Sequence, residues 1–347
     1  MKLKMVRAFY CVVLLTFTIN VNATGENVYR FLKMPYYAKL AGLGGSNVSA
    51  QANDVNQIYY NPALFPSSLH QSISLSYVNY LADANGGMVS YAYCPDSLNC
   101  FGFNFVFIGY GDMEGYDTRA FNLGQFSAGD FAWNLTYARY LGANLKVGLS
   151  LKPVYSHIDT YGSFGLAFGV GANYYHPDWN FSASMVVSDF GVKFTDYYDG
   201  QGKERLPWNM QIGLSKGLSH APFRFSVTYN YLNRWNFDYE KAVRTNSLYD
   251  DENNISGGDM FFRHLVFGVE ALVSKYFHVD LAYNHRRNRE YGLPNARGIN
   301  GFSFGAGFKV YKFNLDAAFA KYAPSGGTFT LSLSSSIDYF KKQRNEE

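Results

Sequence analysis

The 347-residue chain has no long hydrophobic run beyond its N-terminal segment, since no stretch after residue 23 reaches the ~18 to 20 consecutive apolar residues that a transmembrane helix needs. Its charge is nearly balanced, and the net charge of +3 gives no reason to expect a nucleic-acid partner. Neither the HExxH pattern of zinc proteases nor the GxxxxGK[ST] pattern of phosphate-binding loops occurs. The sequence therefore predicts no helical membrane span, no metal or other cofactor, and a protein that is not an enzyme.

Aromatic residues are abundant and follow an alternating pattern. Phe, Trp and Tyr make up 18% of the chain, and 30 residues are Tyr. Phe131, Trp133, Leu135 and Tyr137 are separated by Ala, Asn and Thr, and similar alternation recurs along most of the chain after residue 71. Because successive side chains of a strand point to opposite faces, each such segment has an apolar and a polar face. This pattern is typical of a membrane-spanning β-barrel, whose strands face lipid on one side and the lumen on the other.

Segments with this alternation number about fourteen, an even number as expected of bacterial outer-membrane barrels. The connections from odd- to even-numbered segments include the long ones, at 111–125, 189–206, 236–260 and 286–298, whereas the even-to-odd connections are short. Such barrels have tight turns at the periplasmic end and longer loops at the cell surface. The predicted fold class is thus all-β, an antiparallel transmembrane barrel of about 14 strands with both barrel ends in the periplasm.

The N-terminus has the features of a cleaved secretory signal. Basic residues ending at Arg7 precede an apolar stretch over 8–19, and small residues at 21–23 offer a cleavage site. The chain is therefore predicted to be exported. The predicted boundaries are a signal peptide over 1–23, an N-terminal plug segment over 24–70, the barrel over 71–340 and a short polar tail over 341–347.

Residues 28–66 interrupt the alternation just before the first strand, so they are predicted to plug the lumen; the alternative is a periplasmic tail. They resemble the start of fatty-acid-transporter (FadL-like) barrels, which carry a small-residue stretch, an acidic residue and an Asn-Pro-Ala turn at this place. The residues that match are Gly44, Gly45, Ala50, Asp54, Asn61, Pro62 and Ala63. Those barrels have an N-terminal plug, and the resemblance implies one here.

A second resemblance is to the PorQ family of the type IX secretion system of Bacteroidetes. It is carried by residues 28–49, 206–235, 261–293 and 301–323. The resemblance implies an outer-membrane barrel that anchors the surface attachment complex, in which PorU-, PorV- and PorZ-like partners process secreted cargo and link it to lipopolysaccharide. The alternative function is a FadL-like outer-membrane transporter of fatty acids or other hydrophobic small molecules.

Cys94 and Cys100 are the cysteines that remain after cleavage of the predicted signal. An exported chain meets an oxidising compartment, so a disulfide across this turn is predicted, with free thiols as the alternative. The spacing does not fit a zinc site or a thioredoxin-like motif.

Basic residues are expected at the cell surface and ionisable residues in the lumen. Arg286, Arg287 and Arg289 begin one of the long connections, and guanidinium groups bind phosphate through paired hydrogen bonds. They are candidates for contact with outer-membrane lipid, in particular lipopolysaccharide, or with an acidic partner; a solvated loop is the alternative. By the alternation, the residues predicted to face the lumen include Arg224, Glu270, Asp280, Lys309 and Asp316.

Overall fold

The computed structural model describes residues 28–81, 83–119, 121–197, 204–237, 256–291, 299–323 and 326–337. Within them, fourteen antiparallel strands close into one barrel, with β1 hydrogen-bonded to β14. The strands are β1 Ser72–Asn79, β2 Asn85–Tyr93, β3 Asn99–Tyr116, β4 Asn122–Tyr140, β5 Leu145–Ile158, β6 Tyr161–His176, β7 Phe181–Lys193, β8 Asn209–Gly217, β9 Phe223–Tyr229, β10 Leu265–Ser274, β11 Phe277–Asn284, β12 Phe302–Val310, β13 Phe313–Ala323 and β14 Gly326–Ser336. This confirms the predicted fold class. The predicted signal peptide and polar tail lie outside the described residues.

The barrel wall is apolar outside and small or polar inside. In β4, Trp133 and Leu135 are 39% and 52% exposed, whereas Ala132, Asn134 and Thr136 are buried. The same alternation runs through the neighbouring strands, so the outer surface is a continuous apolar belt. Lipid, rather than water, is the environment that accommodates such a surface.

The longest connections lie at one end of the barrel, which we call the long-loop end. The chain enters β1 and leaves β14 at the opposite end, which we call the short-turn end. The helices are short: α1 is Ala38–Gly42, α2 is Gly257–Arg263 and α3 is His285–Tyr291. None of the helices in the described part of the chain is long and apolar enough to span a membrane.

Two of the predicted boundaries were wrong. The predicted connection over 236–260 does not lead directly into a strand, because Gly257–Arg263 form α2, which Ser256 caps by accepting a hydrogen bond from the amide of Asp259, and β10 begins only at Leu265. The predicted loop over 111–125 is mostly strand, because β3 continues to Tyr116 and β4 starts at Asn122. The long-loop end therefore carries more regular structure than the sequence pattern suggested.

Residues 28–70, which we call the plug, fill the inside of the barrel. α1 packs against β11 to β14, and a 3₁₀ turn over Val55–Tyr59 packs against β1 to β4. The side chains of Tyr36, Ile58 and Phe65 are 0% exposed. The plug thus contacts the wall on both sides of the lumen.

Glycines on the inner face of the wall mark several places where the plug touches the strands. A Cβ atom at Gly148 of β5 would overlap the backbone of Pro62, and one at Gly171 of β6 would overlap the side chain of Asn61. The small lumen-facing residues therefore do not leave the lumen empty. They let the plug approach the strand backbone closely.

Candidate functional site

The plug's glycine pair ends α1. Gly44 and Gly45 have φ of +85° and +76°, and the amide of Gly45 donates to the carbonyl of Leu40 at 2.8 Å. Glycine adopts this left-handed conformation without strain and commonly closes helices in this way. A side chain at Gly45 would also collide with the guanidinium of Arg287, so the pair sets how closely the plug meets α3.

The Asn-Pro-Ala turn braces the plug against β5 and β6. The amide nitrogen of the Asn61 side chain donates to the carbonyl of Val48 at 2.7 Å, and its oxygen accepts from the amide of Ala63 at 2.9 Å. Asn61 is 0% exposed, so these bonds satisfy a buried polar group within the plug. Pro62 fills the space beside Gly148.

Asp54 caps the 3₁₀ turn that follows it, on the side of the plug that faces the short-turn end. Its side chain accepts from the amide of Asn56 at 2.8 Å and is 6% exposed. Burial, reinforced by the nearby Asp316, raises the pKa of Asp54 from 3.8 to about 7. A cavity of about 490 Å³ adjoins it, lined also by Lys39, His278 and Asp316.

Asp54 should make the stability of the barrel depend on pH. Because its pKa is higher in the folded than in the unfolded chain, the folded state is favoured at low pH, and this contribution is lost as the pH rises through about 7. We expect Asp54→Asn, which keeps the capping oxygen, to raise the melting temperature more at pH 8 than at pH 4. The same substitution at the exposed Asp83 is the control, and an equal shift at both pH values would contradict the assignment.

A buried ionic triad joins the plug to the wall. The ammonium of Lys39 in α1 lies 2.9 Å from the carboxylate of Glu270 in β10, and the guanidinium of Arg224 in β9 lies 3.1 Å from the same carboxylate. Arg224 also donates to the carbonyl of Gln51 at 3.1 Å. Glu270 is 0% exposed and so depends on both cations.

The other predicted lumen residues also face inward. Asp280 and Asp316 are buried, and the imidazole of His278 lies 3.5 Å and 3.3 Å from their carboxylates. Lys309 differs, because it lies at the short-turn end, where it is exposed and lines the cavity beside Asp54.

On the other side of the plug, at the long-loop end, lies a second cavity, which we call the vestibule. Its volume is about 250 Å³. The plug supplies an apolar floor with Leu32, Met34, Pro35, Leu40 and Tyr60. The charged residues around it are Arg30, Lys33, Lys152, Asp189, Arg263, Arg286, Arg287 and Glu290, so cations outnumber anions.

Several of these cations have an acidic partner. The ammonium of Lys152 lies 2.8 Å from Asp189, the guanidinium of Arg263 lies 2.7 Å from Asp259 at the rim, and Arg286 pairs with Glu290. These pairs fix side chains at the walls and partly neutralise them.

Two cations have no acidic partner among the described residues. The ammonium of Lys33 lies 4.6 Å from the ring centre of Tyr231, and the guanidinium of Arg287 lies 4.1 Å from that of Tyr322. One terminal nitrogen of Arg287 is buried without a hydrogen-bond acceptor. Burial lowers the pKa of Lys33. A negatively charged group in the vestibule would be a favourable partner for either side chain.

The pKa of Tyr231 is lowered by the positive charges around the vestibule. Burial tends to raise the pKa of its phenol, but the charges of Lys33 and Arg286 outweigh this effect and lower it to about 8. The guanidinium of Arg234 lies 4.7 Å from the same ring. The vestibule therefore favours negative charge at its centre.

The structure separates the three arginines of the predicted surface contact. Arg286 and Arg287 line the vestibule, whereas the side chain of Arg289 is 56% exposed. The guanidinium of Arg289 lies 3.2 Å from the carboxylate of Asp259, and contact with lipopolysaccharide stays a prediction.

Cys94 and Cys100 lie at the short-turn end, where the structure joins them in a disulfide with their Cα atoms 4.1 Å apart. The disulfide closes the turn between β2 and β3. Among the described residues, no group of three His, Cys, Asp or Glu side chains is arranged to hold a metal ion.

The chain resembles known proteins in its fold and not in its sequence. No protein-family model matches the sequence, and no curated protein sequence matches it. Solved structures do match: the toluene transporter TbuX of Ralstonia pickettii aligns with a TM-score of 0.54 and 10% identity, over 87% of this chain and 98% of that one. The toluene transporter TodX of Pseudomonas putida aligns with a TM-score of 0.50 and 10% identity, over 87% of this chain and 96% of that one.

The chain shares the fold of these two transporters. A FadL homologue of Pseudomonas aeruginosa aligns with a TM-score of 0.48 and 10% identity, over 91% of this chain and 99% of that one. At 10% identity the likeness to these structures concerns the architecture of the barrel, and the function has to be argued from the site.

Proposed function

We propose that the chain is an outer-membrane channel for small hydrophobic compounds, which enter through the vestibule. The observation that carries the proposal is the position of Lys33 and Arg287, two cations without an acidic partner among the described residues, above the apolar floor of the plug. A compound with a hydrophobic body and a negatively charged head, such as a fatty acid, suits this arrangement. The matching folds named as toluene transporters support the channel function over the secretion role.

The size of the vestibule sets a condition on transport. At about 250 Å³ it lies below the ~300 to 1,000 Å³ of typical ligand pockets, so it holds a head group and a short part of the body. The plug fills the lumen beneath it, and passage to the short-turn end requires the plug to shift. On this proposal the long-loop end faces the cell surface and the short-turn end faces the periplasm.

Removing the cations Lys33 and Arg287 should weaken binding of an anionic amphiphile. We expect the double variant Lys33→Gln/Arg287→Gln, in lipid nanodiscs, to bind decanoate at least tenfold more weakly than the unmodified barrel, because the carboxylate loses both of its partners. Binding of decanol, which has the same chain length without the charge, should change little. Calorimetry or native mass spectrometry measures both.

Lys275→Gln at the exposed short-turn end is the matched control, since it removes a cation far from the vestibule. Equal decanoate affinity in the double variant, or no binding of either probe to the unmodified barrel, would contradict the proposal.

A secretion role is the second candidate, and one observation favours it. Each of the four ranges that carry the resemblance to the PorQ family contributes to the lining of the vestibule, for example with Lys33, Asn230, Arg287 and Tyr322. The hydroxyl of Ser46 donates to Asn230 at 2.7 Å, and the side chain of Asn284 donates to the carbonyl of Gly44 at 3.2 Å. On this hypothesis PorU-, PorV- and PorZ-like partners bind the long-loop end. Normal cargo attachment in cells without the chain would contradict it.

A further inference from the structure

The hairpin of β3 and β4 extends beyond the rim of the barrel. Pairing of β2 with β3 ends at Asn85 and Gly109, and pairing of β4 with β5 ends at Ala128 and Ile158. Pairing of β3 with β4 continues to Tyr116 and Asn122. We call residues 110–127 the ribbon. At ~3.3 Å per residue, its β3 strand projects roughly 20 Å past the last pair with β2.

The ribbon is held in a defined shape at both ends. At the rim, the register shifts between Gly109 and Asp112, and Gly111 has a φ of +77°, which is a β-bulge of the kind that re-aims strands at barrel rims. At the tip, the side chain of Asp117 accepts from the amides of Arg119 and Phe121 at 2.8 and 2.9 Å. A hairpin fixed in this way presents a preformed strand edge.

Both edges of the ribbon lack a neighbouring strand among the described residues. The outer backbone groups of 110–116 in β3 therefore have no partner in another strand. An isolated two-stranded ribbon is only marginally stable in water, and an open edge is a template for another strand.

The tip of the ribbon exposes large apolar side chains. Tyr116, Phe121 and Leu123 are 57%, 64% and 71% exposed. Leu123 stands opposite the register shift between Gly115 and Tyr116, so it projects out of the ladder. These side chains stand beyond the last pairs of β3 with β2 and of β4 with β5, so no neighbouring wall strand of the described residues covers them.

The charges of the ribbon determine which kind of binding partner its open edge favours. Asp112 and Glu114 alternate along β3 and lie on the same face, and both are exposed. A second copy of the chain would place like charges side by side, and anionic lipid head groups would be repelled. A strand with basic side chains at alternate positions would be attracted.

We propose that the edge of β3 over 110–116 binds an extended, basic segment of a partner protein at the long-loop end, by strand addition. Backbone hydrogen bonds supply the affinity, Asp112 and Glu114 select basic side chains, and Phe121 and Leu123 bind an apolar part of the partner. This inference stands apart from the proposed channel function, because it concerns a surface outside the lumen.

The test uses the full barrel in lipid nanodiscs and three eight-residue peptides: one of alternating lysine and valine, the same with glutamate in place of lysine, and the first with a central proline. We expect the lysine peptide to bind at least tenfold more tightly than the other two and to protect the amides of 110–116 from hydrogen exchange. Asp112→Asn/Glu114→Gln should lose at least tenfold in affinity for it, and Asp178→Asn at the short-turn end should not.

Equal binding of the three peptides, binding without protection of 110–116, or no binding at all would overturn the proposal. A photo-crosslinker placed at position 114 in intact cells supplies a readout free of peptides. A protein adduct that maps to a basic extended segment supports strand addition, and an adduct with lipopolysaccharide alone refutes it.

Discussion

Replacing Glu270 by alanine should release the plug from the β9 to β11 side of the barrel. Glu270 is fully buried between Lys39, at 2.9 Å, and Arg224, at 3.1 Å. Removal of the shared carboxylate takes away the closest counter-charge of the buried Lys39 and of the partly buried Arg224, and breaking a buried pair in this way costs about 3 to 5 kcal/mol. We expect a lower temperature for the heat-induced gel shift of the folded barrel, and faster protease cleavage within 28–70.

Two further variants distinguish the effect of breaking the triad from the effect of losing a charge in general. Glu204→Ala breaks the pair with Lys193 and should cost much less, because the ammonium of Lys193 keeps a second carboxylate, that of Asp196 at 2.6 Å. The triple variant Lys39→Met/Arg224→Met/Glu270→Met removes all three charges and should recover most of the lost stability. If Glu270→Ala melts within a degree of the unmodified barrel, the triad does not hold the plug.

The strands could be predicted because their signal is local. Lipid on one side and the plug on the other impose a two-residue period, which each segment shows by itself, as in Phe131 to Tyr137. The ribbon could not be predicted, because this local signal is absent from it. Beyond the rim the plug does not constrain the chain, so residues 110–116 and 122–127 show little apolar alternation although they form strand.

The vestibule could not be predicted, because its parts are distant in sequence. Lys33 comes from the plug, Tyr231 from the connection after β9, and Arg287 from α3, and only barrel closure brings them together. Arg286, Arg287 and Arg289 are close together in the sequence and were predicted to act as one group. The short helix α3 turns neighbouring side chains to different sides and so separates them. Lys33 lies among apolar residues in a segment without alternation. This isolated basic residue is the feature of the sequence that could have indicated the vestibule.

Locking the plug should abolish transport if the chain is a channel. Ala41 of α1 and Ala318 of β13 belong to one cluster of buried residues in the barrel interior. In the double variant Ala41→Cys/Ala318→Cys, oxidation should form a disulfide that ties the plug to the wall. We expect decanoate uptake by cells or proteoliposomes to fall at least tenfold after oxidation and to return after reduction. The physical reason is that the plug occupies the lumen between the two cavities.

Each single-cysteine variant and the unmodified chain serve as controls, because the reductant also opens the disulfide between Cys94 and Cys100. Uptake that continues at the unmodified rate in the locked barrel would rule out passage through the plug. The lock also separates the two candidate functions, since a barrel that only anchors surface partners does not need its plug to move. Loss of uptake together with normal cargo attachment would assign the lumen to transport, and loss of neither would leave the long-loop end as the place where the protein acts.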